Sequence, residues 1–176
     1  MRYAWISADE PAPEAMAIRW LAGHDNWSMR TLLSRQPIRP DDLLLSAFAT
    51  GHTLEPGTQY AAGPVLCLNP DLSLLAYAMR VAADQPLAVV EAAGMRVRGW
   101  AAACGALDLA ADAPTPPADP EIARALVTLG DTGPHAVQHG SRDYIDAVAV
   151  LDAADTPRDY VRTYLLAREV GGSVEV

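Results

Sequence analysis

Glu91 is the residue with the best setting for acid or base chemistry, because it comes directly after the apolar run LAVV. A carboxylate that leaves a buried strand loses water, which raises its proton affinity unless a cation or donor pairs with it. Asn69 follows a second apolar run, VLCL, and Ser7 or Asp9 follows an earlier one. Ligands of open parallel sheets collect beyond the carboxyl ends of the strands, so we expect these side chains to come within reach of one another.

A structural role for Glu91 is the competing interpretation. Polar residues end the strands of any soluble α/β protein, and Arg96 or Arg98 lies close enough in sequence to form a charge-assisted pair with this carboxylate. Pairing would make Glu91 structural, whereas a cavity shared with Asn69 and without an arginine would favour catalysis.

Histidine supplies a third candidate for the same site. His52 lies in GHTLEPGTQY, a connection that could fold over the strand ends with Glu55 and Tyr60, although an ordinary connector explains it equally well. His135 and His139 have the i, i+4 spacing of a metal pair, but Gly-Pro and Gly-Ser bracket them and leave barely one helical turn. We predict no metal site and no cofactor.

Asp71, Arg98 and Trp100 are the candidates for contact with a ligand or partner. Asp71 in NPDLS stands at a helix start, where a carboxylate caps the helix and disfavours a bound phosphate. Trp100 in RVRGWAA lies beside arginine, a combination enriched at protein interfaces, although core packing explains a tryptophan as readily.

The sequence lacks the common motifs of nucleotide and metal enzymes. It has no glycine-rich phosphate loop, dinucleotide fingerprint, paired CxxC, HExxH, deaminase signature or nucleophile elbow. Its two cysteines, Cys67 and Cys104, stand in apolar runs and are predicted to be small buried hydrophobes. Two cysteines without a secretory leader favour a reducing cytoplasm over a disulfide framework.

Composition narrows the function classes further. The chain has 176 residues, a formal charge of -9 and 51% hydrophobic residues, which is enough to bury a core without disulfides or metal. The acidic balance disfavours nucleic-acid and membrane partners. All 13 basic residues are arginine, which is typical of a GC-rich bacterial or phage genome.

Apolar patterning predicts an α/β (or α+β) fold with a small, at least partly parallel sheet. The runs at 65–68 and 87–90 flank an apolar helix at 72–83, and together they predict two adjacent parallel strands in a βαβ unit. The other predicted elements are a strand at 3–7, helices at 15–22, 28–34 and 40 or 41–50, and a strand at 95–100.

A proline-rich segment at 110–118 predicts an exposed linker between an α/β core at 1–109 and C-terminal helices at 119–176, packed on the same domain. Three helices are expected there, after Asp119-Pro120, Ser141 and Thr156-Pro157. This part carries ten acidic and five basic residues.

Two functions from different classes fit these observations. The leading hypothesis is a noncatalytic acidic interaction protein, such as an inhibitor, an immunity-like protein or a regulatory subunit, that binds a basic protein partner; homo-oligomers are compatible with it. The alternative is a small-molecule hydrolase or transferase with Glu91, Asn69 and His52 at the strand ends. A deep polar pocket would favour the enzyme, and a flat acidic face rich in exposed apolar side chains would favour the binder.

Overall fold

A six-stranded, mostly parallel sheet organises the computed structural model, which describes residues 1–34, 60–132 and 141–172. The order across the sheet is β2-β3-β4-β1-β5-β6, and only β6 runs antiparallel to its neighbour. The fold is therefore α/β, as predicted. The strands are β1 (Tyr3–Ile6), β2 (Thr31–Ser34), β3 (Val65–Leu68), β4 (Leu87–Val90), β5 (Leu107–Asp108) and β6 (Ala113–Pro114).

Helices cover both faces of the sheet and form the C-terminal part. They are α1 (Pro13–Ala22), α2 (Leu72–Ala82), α3 (Arg98–Cys104), α4 (Pro120–Thr132), α5 (Arg142–Ala153) and α6 (Arg158–Gly172). Within the described ranges, no helix combines the length and the apolar character that crossing a membrane requires.

The predicted βαβ unit is confirmed. β3 and β4 are parallel neighbours in the register Val65 with Leu87 through Leu68 with Val90, and all eight residues are buried. Strands that are buried on both faces are continuously apolar, which is why this unit was legible in the sequence. Asp71 caps α2, because its Oδ1 accepts the backbone N–H of Leu74 at 2.8 Å.

Alternating strand residues supply two cores on opposite faces of the sheet. On one face, Ile6, Leu66 and Val90 pack against Leu21 of α1. On the other face, Trp5, Cys67 and Val89 pack with side chains from α2, α3 and α6. Among the helices that the structure describes, α1 therefore packs on the first face and three helices pack on the second.

Two predicted elements were wrong. Residues 28–34, predicted as a helix, are a 3-10 turn (Trp27–Met29) followed by β2, because pairing with the buried strand β3 outweighs the local helical pattern. Residues 95–100, predicted as a strand, lead into α3, which begins at Arg98. The helix predicted at 40 or 41–50 lies outside the described residues.

The proline-rich segment is mostly exposed, as its composition predicted, but it is anchored at its centre. Ala113–Pro114 pairs with β5, and Thr115 is only 4% exposed. The hydroxyl of Thr115 accepts the indole N–H of Trp5 at 2.7 Å and donates to the Ala106 carbonyl at 2.7 Å. The segment thus connects the edge of the sheet to the core. Helix α4 then begins after Asp119, as the sequence predicted, and the Asp119 carboxylate accepts the Glu121 N–H at 2.9 Å.

We expect Thr115→Val to lower the free energy of unfolding by about 2 kcal/mol, because it leaves the buried Trp5 N–H without an acceptor. Urea denaturation measures this change. Thr128→Val is the control, since the Thr128 hydroxyl only donates to the Arg124 carbonyl within α4 and its loss should cost less than about 0.5 kcal/mol. Equal losses in the two variants would contradict the anchoring role of Thr115.

Both cysteines are free thiols in apolar surroundings. Cys67 is fully buried in β3, and Cys104 is partly buried at the end of α3. Burial raises the pKa of the Cys67 thiol to about 12 and that of Cys104 to about 11. Both therefore stay protonated and unreactive at neutral pH.

Candidate functional site

A cleft of about 440 Å³ opens at the carboxyl ends of β1, β4 and β5. β1 connects to α1 on one face of the sheet, whereas the next helix after β4 is α3 on the other face. Neighbouring strands whose connections leave in opposite directions create the crevice in which α/β proteins bind ligands. We call it the strand-end cleft; its lining is Trp5, Ser7, Glu10, Glu91, Arg96, Arg98, Asp108, Ala110, Pro157 and Tyr160.

Arg96 binds three side chains at one edge of this cleft. One guanidinium nitrogen, Nη1, donates to Glu91 Oε2 at 3.1 Å and to Ser7 Oγ at 3.1 Å. The other, Nη2, donates to Asp9 Oδ2 at 2.7 Å. These hydrogen bonds, first with Asp9 and then with Glu91, raise the pKa of Arg96 above its already high value. The arginine thus remains charged and holds the ends of β1 and β4 together.

Both oxygens of Glu91 are engaged. Oε2 pairs with Arg96, and Oε1 accepts the backbone N–H of Val97 at 2.8 Å. The residue is 1% exposed. A buried carboxylate with a cation and a backbone donor has found the partners that compensate for its desolvation. The sequence suggested this pairing for a structural Glu91. We therefore interpret Glu91 as a residue that positions Arg96 and the turn before α3.

Unlike the Arg96 guanidinium, the Arg98 guanidinium has no hydrogen-bond or ion-pair partner among the described residues. Arg98 lies in the first turn of α3 and is exposed. The Tyr160 side chain lines the same wall, and the charge of Arg98 opposes the rise in the Tyr160 pKa that burial causes. Among the described residues of the cleft, Arg98 therefore presents a positive charge beside a phenol.

Two carboxylates line the cleft with Arg98. Glu10, in the turn after β1, is partly buried and has no side-chain hydrogen bond or ion pair with the described residues. Asp108, at the end of β5, accepts the backbone N–H groups of Ala110 and Ala111 through Oδ1 at 3.0 and 3.2 Å. Among the described residues, Glu10 thus has no side-chain partner that would compete with a ligand for its carboxylate.

Asn69 and Glu91, which the sequence placed within reach of one another, line different cavities. Asn69 lines a different groove, with Asp71 and Arg162. Asn69 has a left-handed backbone conformation, with a φ of 47°, at the turn into α2, and its backbone N–H donates to the Val90 carbonyl at 3.0 Å. The Glu91 carboxylate accepts the Val97 N–H instead. His52, the third predicted catalytic residue, lies outside the described residues.

The prediction that Trp100 contacts a ligand or partner does not agree with its position in the structure. It is fully buried and packs edge-on against Tyr3, with ring centroids 5.7 Å apart, so its side chain is not available to a partner. Arg98, on the exposed side of the same helix, stays a candidate, and Asp71 acts as the cap of α2.

The histidines predicted as a weak metal pair, His135 and His139, lie outside the described residues. Within residues 1–34, 60–132 and 141–172, no three His, Cys, Asp or Glu side chains gather in a possible metal site.

Sequence reasoning missed several residues of the cleft, among them Glu10, Asp108, Pro157 and Tyr160. Glu10 follows the predicted strand-end positions Ser7 and Asp9 within the same acidic turn, so the signal was present but was assigned to its neighbours. Pro157 and Tyr160 come from the start of α6, about 60 residues beyond Arg98, and no local pattern shows that this helix packs on α3.

Comparisons with protein-family models, with curated proteins and with solved structures found no match.

Proposed function

We propose that this chain binds a small polar molecule in the strand-end cleft and acts on it as a hydrolase or transferase. The supporting observation is the convergence of Glu10, Arg98 and Tyr160 in a cleft at the switch point of a parallel sheet. Its volume of about 440 Å³ lies within the range of small-molecule sites.

Each side chain has a distinct role in this proposal. Arg98 binds an anionic group of the ligand, since its fork of donors suits a carboxylate or phosphate. Glu10 is the candidate general base, because its carboxylate forms no ion pair with a described residue and can accept a proton from a hydroxyl or water. Glu91 and Arg96 hold the turns that carry Glu10 and Arg98 and take no part in proton transfer.

The interaction-protein hypothesis has less support from the surface. On the described parts of α4, α5 and α6, Ile145 is the one large hydrophobic side chain among the exposed ones. An interface core of apolar side chains is therefore not evident there, although the acidic residues could still steer a basic partner. Association that slows as salt rises would be its signature.

We expect Arg98→Ala to weaken ligand binding by about tenfold or more, because it removes a charged hydrogen-bond donor from the cleft. A library of small metabolites is first screened by thermal shift, and the dissociation constants of the compounds that bind are then measured by calorimetry. Arg80→Ala is the matched control, because Arg80 is exposed on α2 and does not line the cleft. Equal affinities in the two variants would place the ligand elsewhere, and a library without any binder would overturn the proposed function.

We expect Glu10→Gln to lower turnover of the bound compound about a hundredfold or more while the melting temperature stays unchanged, because the amide keeps the shape but cannot take up the proton. Mass spectrometry of the incubated compound measures turnover. Glu14→Gln, four residues away in the first turn of α1 and outside the cleft, is the control. Full turnover in Glu10→Gln would remove this residue from the chemistry.

A further inference from the structure

A second groove adjoins the strand-end cleft and shares part of its wall. We call it the proline groove; its volume is about 320 Å³, and it lies between the segment before α4 and the turn between α5 and α6. Arg98, Pro157 and Tyr160 line both cavities. A group bound at Arg98 would therefore stand where the two cavities meet.

The two cavities differ in the residues that line them, although apolar surface predominates in both. Beyond Arg98, the strand-end cleft holds the carboxylates of Glu10 and Asp108, which accept hydrogen bonds from hydroxyl or amine groups. The proline groove is lined mainly by carbon, from Ala102, Pro116, Pro117, Ala118, Ile122 and Ala154. The Arg98 guanidinium thus borders both cavities.

The charges of the proline groove restrict its occupant. Asp119 and Asp155 also line it, and the Asp119 carboxylate already accepts the Glu121 N–H at the start of α4. A second anionic group in this groove would be repelled by both carboxylates. An uncharged hydrocarbon arm avoids that repulsion and buries apolar surface against the prolines and alanines.

Resting on the proposed function, we infer that the ligand is an amphipathic anion: a carboxylate or phosphate on Arg98, a hydroxyl- or amine-bearing head in the strand-end cleft and an uncharged apolar arm in the proline groove. The arm supplies affinity by apolar burial, and the head supplies the group on which Glu10 acts. Arg98 and Tyr160 set the register of the ligand between the two spaces.

Chain-length dependence tests the inference. The probes are the n-alkyl carboxylates from butanoate to octanoate and the n-alkyl phosphates of the same lengths, titrated below their micellar concentrations. We expect affinity to rise about two- to fourfold per added methylene, up to the length that fills the groove. The stronger of the two series identifies the anionic group, and Arg98→Ala should weaken both series about tenfold.

Substitutions in the proline groove locate the arm. Ala118→Trp should remove the chain-length dependence while butanoate or butyl phosphate still binds, and Ala154→Trp, at the opposite side of the groove, is a second blocking variant. Ala153→Trp is the control, because Ala153 is exposed on α5 and lies outside the groove. A melting temperature for each variant shows that it is folded.

The outcomes separate this inference from the proposed function. A chain-length dependence that persists in both blocking variants, or none in the unmodified protein, overturns the inference, whereas polar compounds that still bind in an Arg98-dependent way leave the proposed function standing. Absence of binding by every alkyl anion and every library compound overturns both. If the chain-length dependence is lost in the two blocking variants and kept in Ala153→Trp, the result supports an apolar arm in the proline groove.

Discussion

Gly99→Ala should lower the melting temperature by about 6 to 12 °C, the largest single-residue effect that we expect in this protein. A Cβ atom at Gly99 would stand 1.9 Å from the Tyr160 carbonyl oxygen and 2.8 Å from the Thr163 hydroxyl. The obstacle is backbone, so the helices α3 and α6 must separate. Overpacking of this kind costs about 3 kcal/mol, and one kcal/mol corresponds to about 2 to 4 °C in a chain of this size.

The same substitution should also weaken ligand binding, because α3 carries Arg98 and α6 carries Tyr160. Gly171→Ala is the matched control. Gly171 lies in the last turn of α6, and outside its own helix no described atom comes within 4 Å of the added Cβ, so the melting temperature should stay unchanged or rise slightly. Thermal unfolding followed by circular dichroism compares the two. A Gly99→Ala protein as stable as the control would show that the α3–α6 contact is not close.

The parts of the fold that the sequence predicted well are those where one local pattern has one structural solution. The runs at 65–68 and 87–90 are apolar at every position and are short, so burial in a parallel sheet was the natural interpretation. Helix starts at Asp119-Pro120 and Thr156-Pro157 were legible because capping and proline chemistry act within a few residues. These features depend only on sequence neighbours.

The errors concern residues whose structure is decided by distant contacts. The strand β2 exists because it pairs with β3, more than 30 residues later in the chain, and a four-residue edge strand leaves little periodicity of its own. α3 is a short helix whose Gly99 permits its approach to α6, and glycine in a pattern read as extended gave no sign of that contact. Tertiary pairing overrode local preference in both places.

The candidate site shows the same division. Pairing of Glu91 with a nearby arginine was one of the two outcomes predicted, since Arg96 is only five residues away. The role of Tyr160 depends on the packing of α6, which closes one wall of the cleft from the far end of the chain. Glu10 was overlooked because adjacency in a turn does not show which of several carboxylates faces the cleft.

We expect Glu91→Gln to lower the free energy of unfolding by about 2 kcal/mol. It should not remove the group that transfers the proton, because the proposed function gives that role to Glu10. The amide oxygen can still accept the Val97 N–H, but the charged hydrogen bond from Arg96 is lost, and the amide N–H₂ group can face the guanidinium. Hydrogen bonds to charged groups contribute about 1.5 to 3 kcal/mol. Arg96 is 46% exposed, so water partly solvates the cation that loses its partner and keeps the cost below that of breaking a fully buried pair.

Asp9→Asn is the control for this prediction, because Asp9 binds the same guanidinium from a side chain that is 71% exposed. An exposed ion pair contributes less than about 1 kcal/mol, so this variant should be nearly as stable as the unmodified protein. Urea denaturation gives the two free energies, and calorimetry with a ligand found in the cleft gives the affinities. If Glu91 positions Arg96 and the turn into α3, Glu91→Gln loses stability and weakens binding, whereas Glu10→Gln loses only turnover. A Glu91→Gln protein of full stability that has lost turnover would instead make Glu91 the base and Arg96 its electrostatic partner.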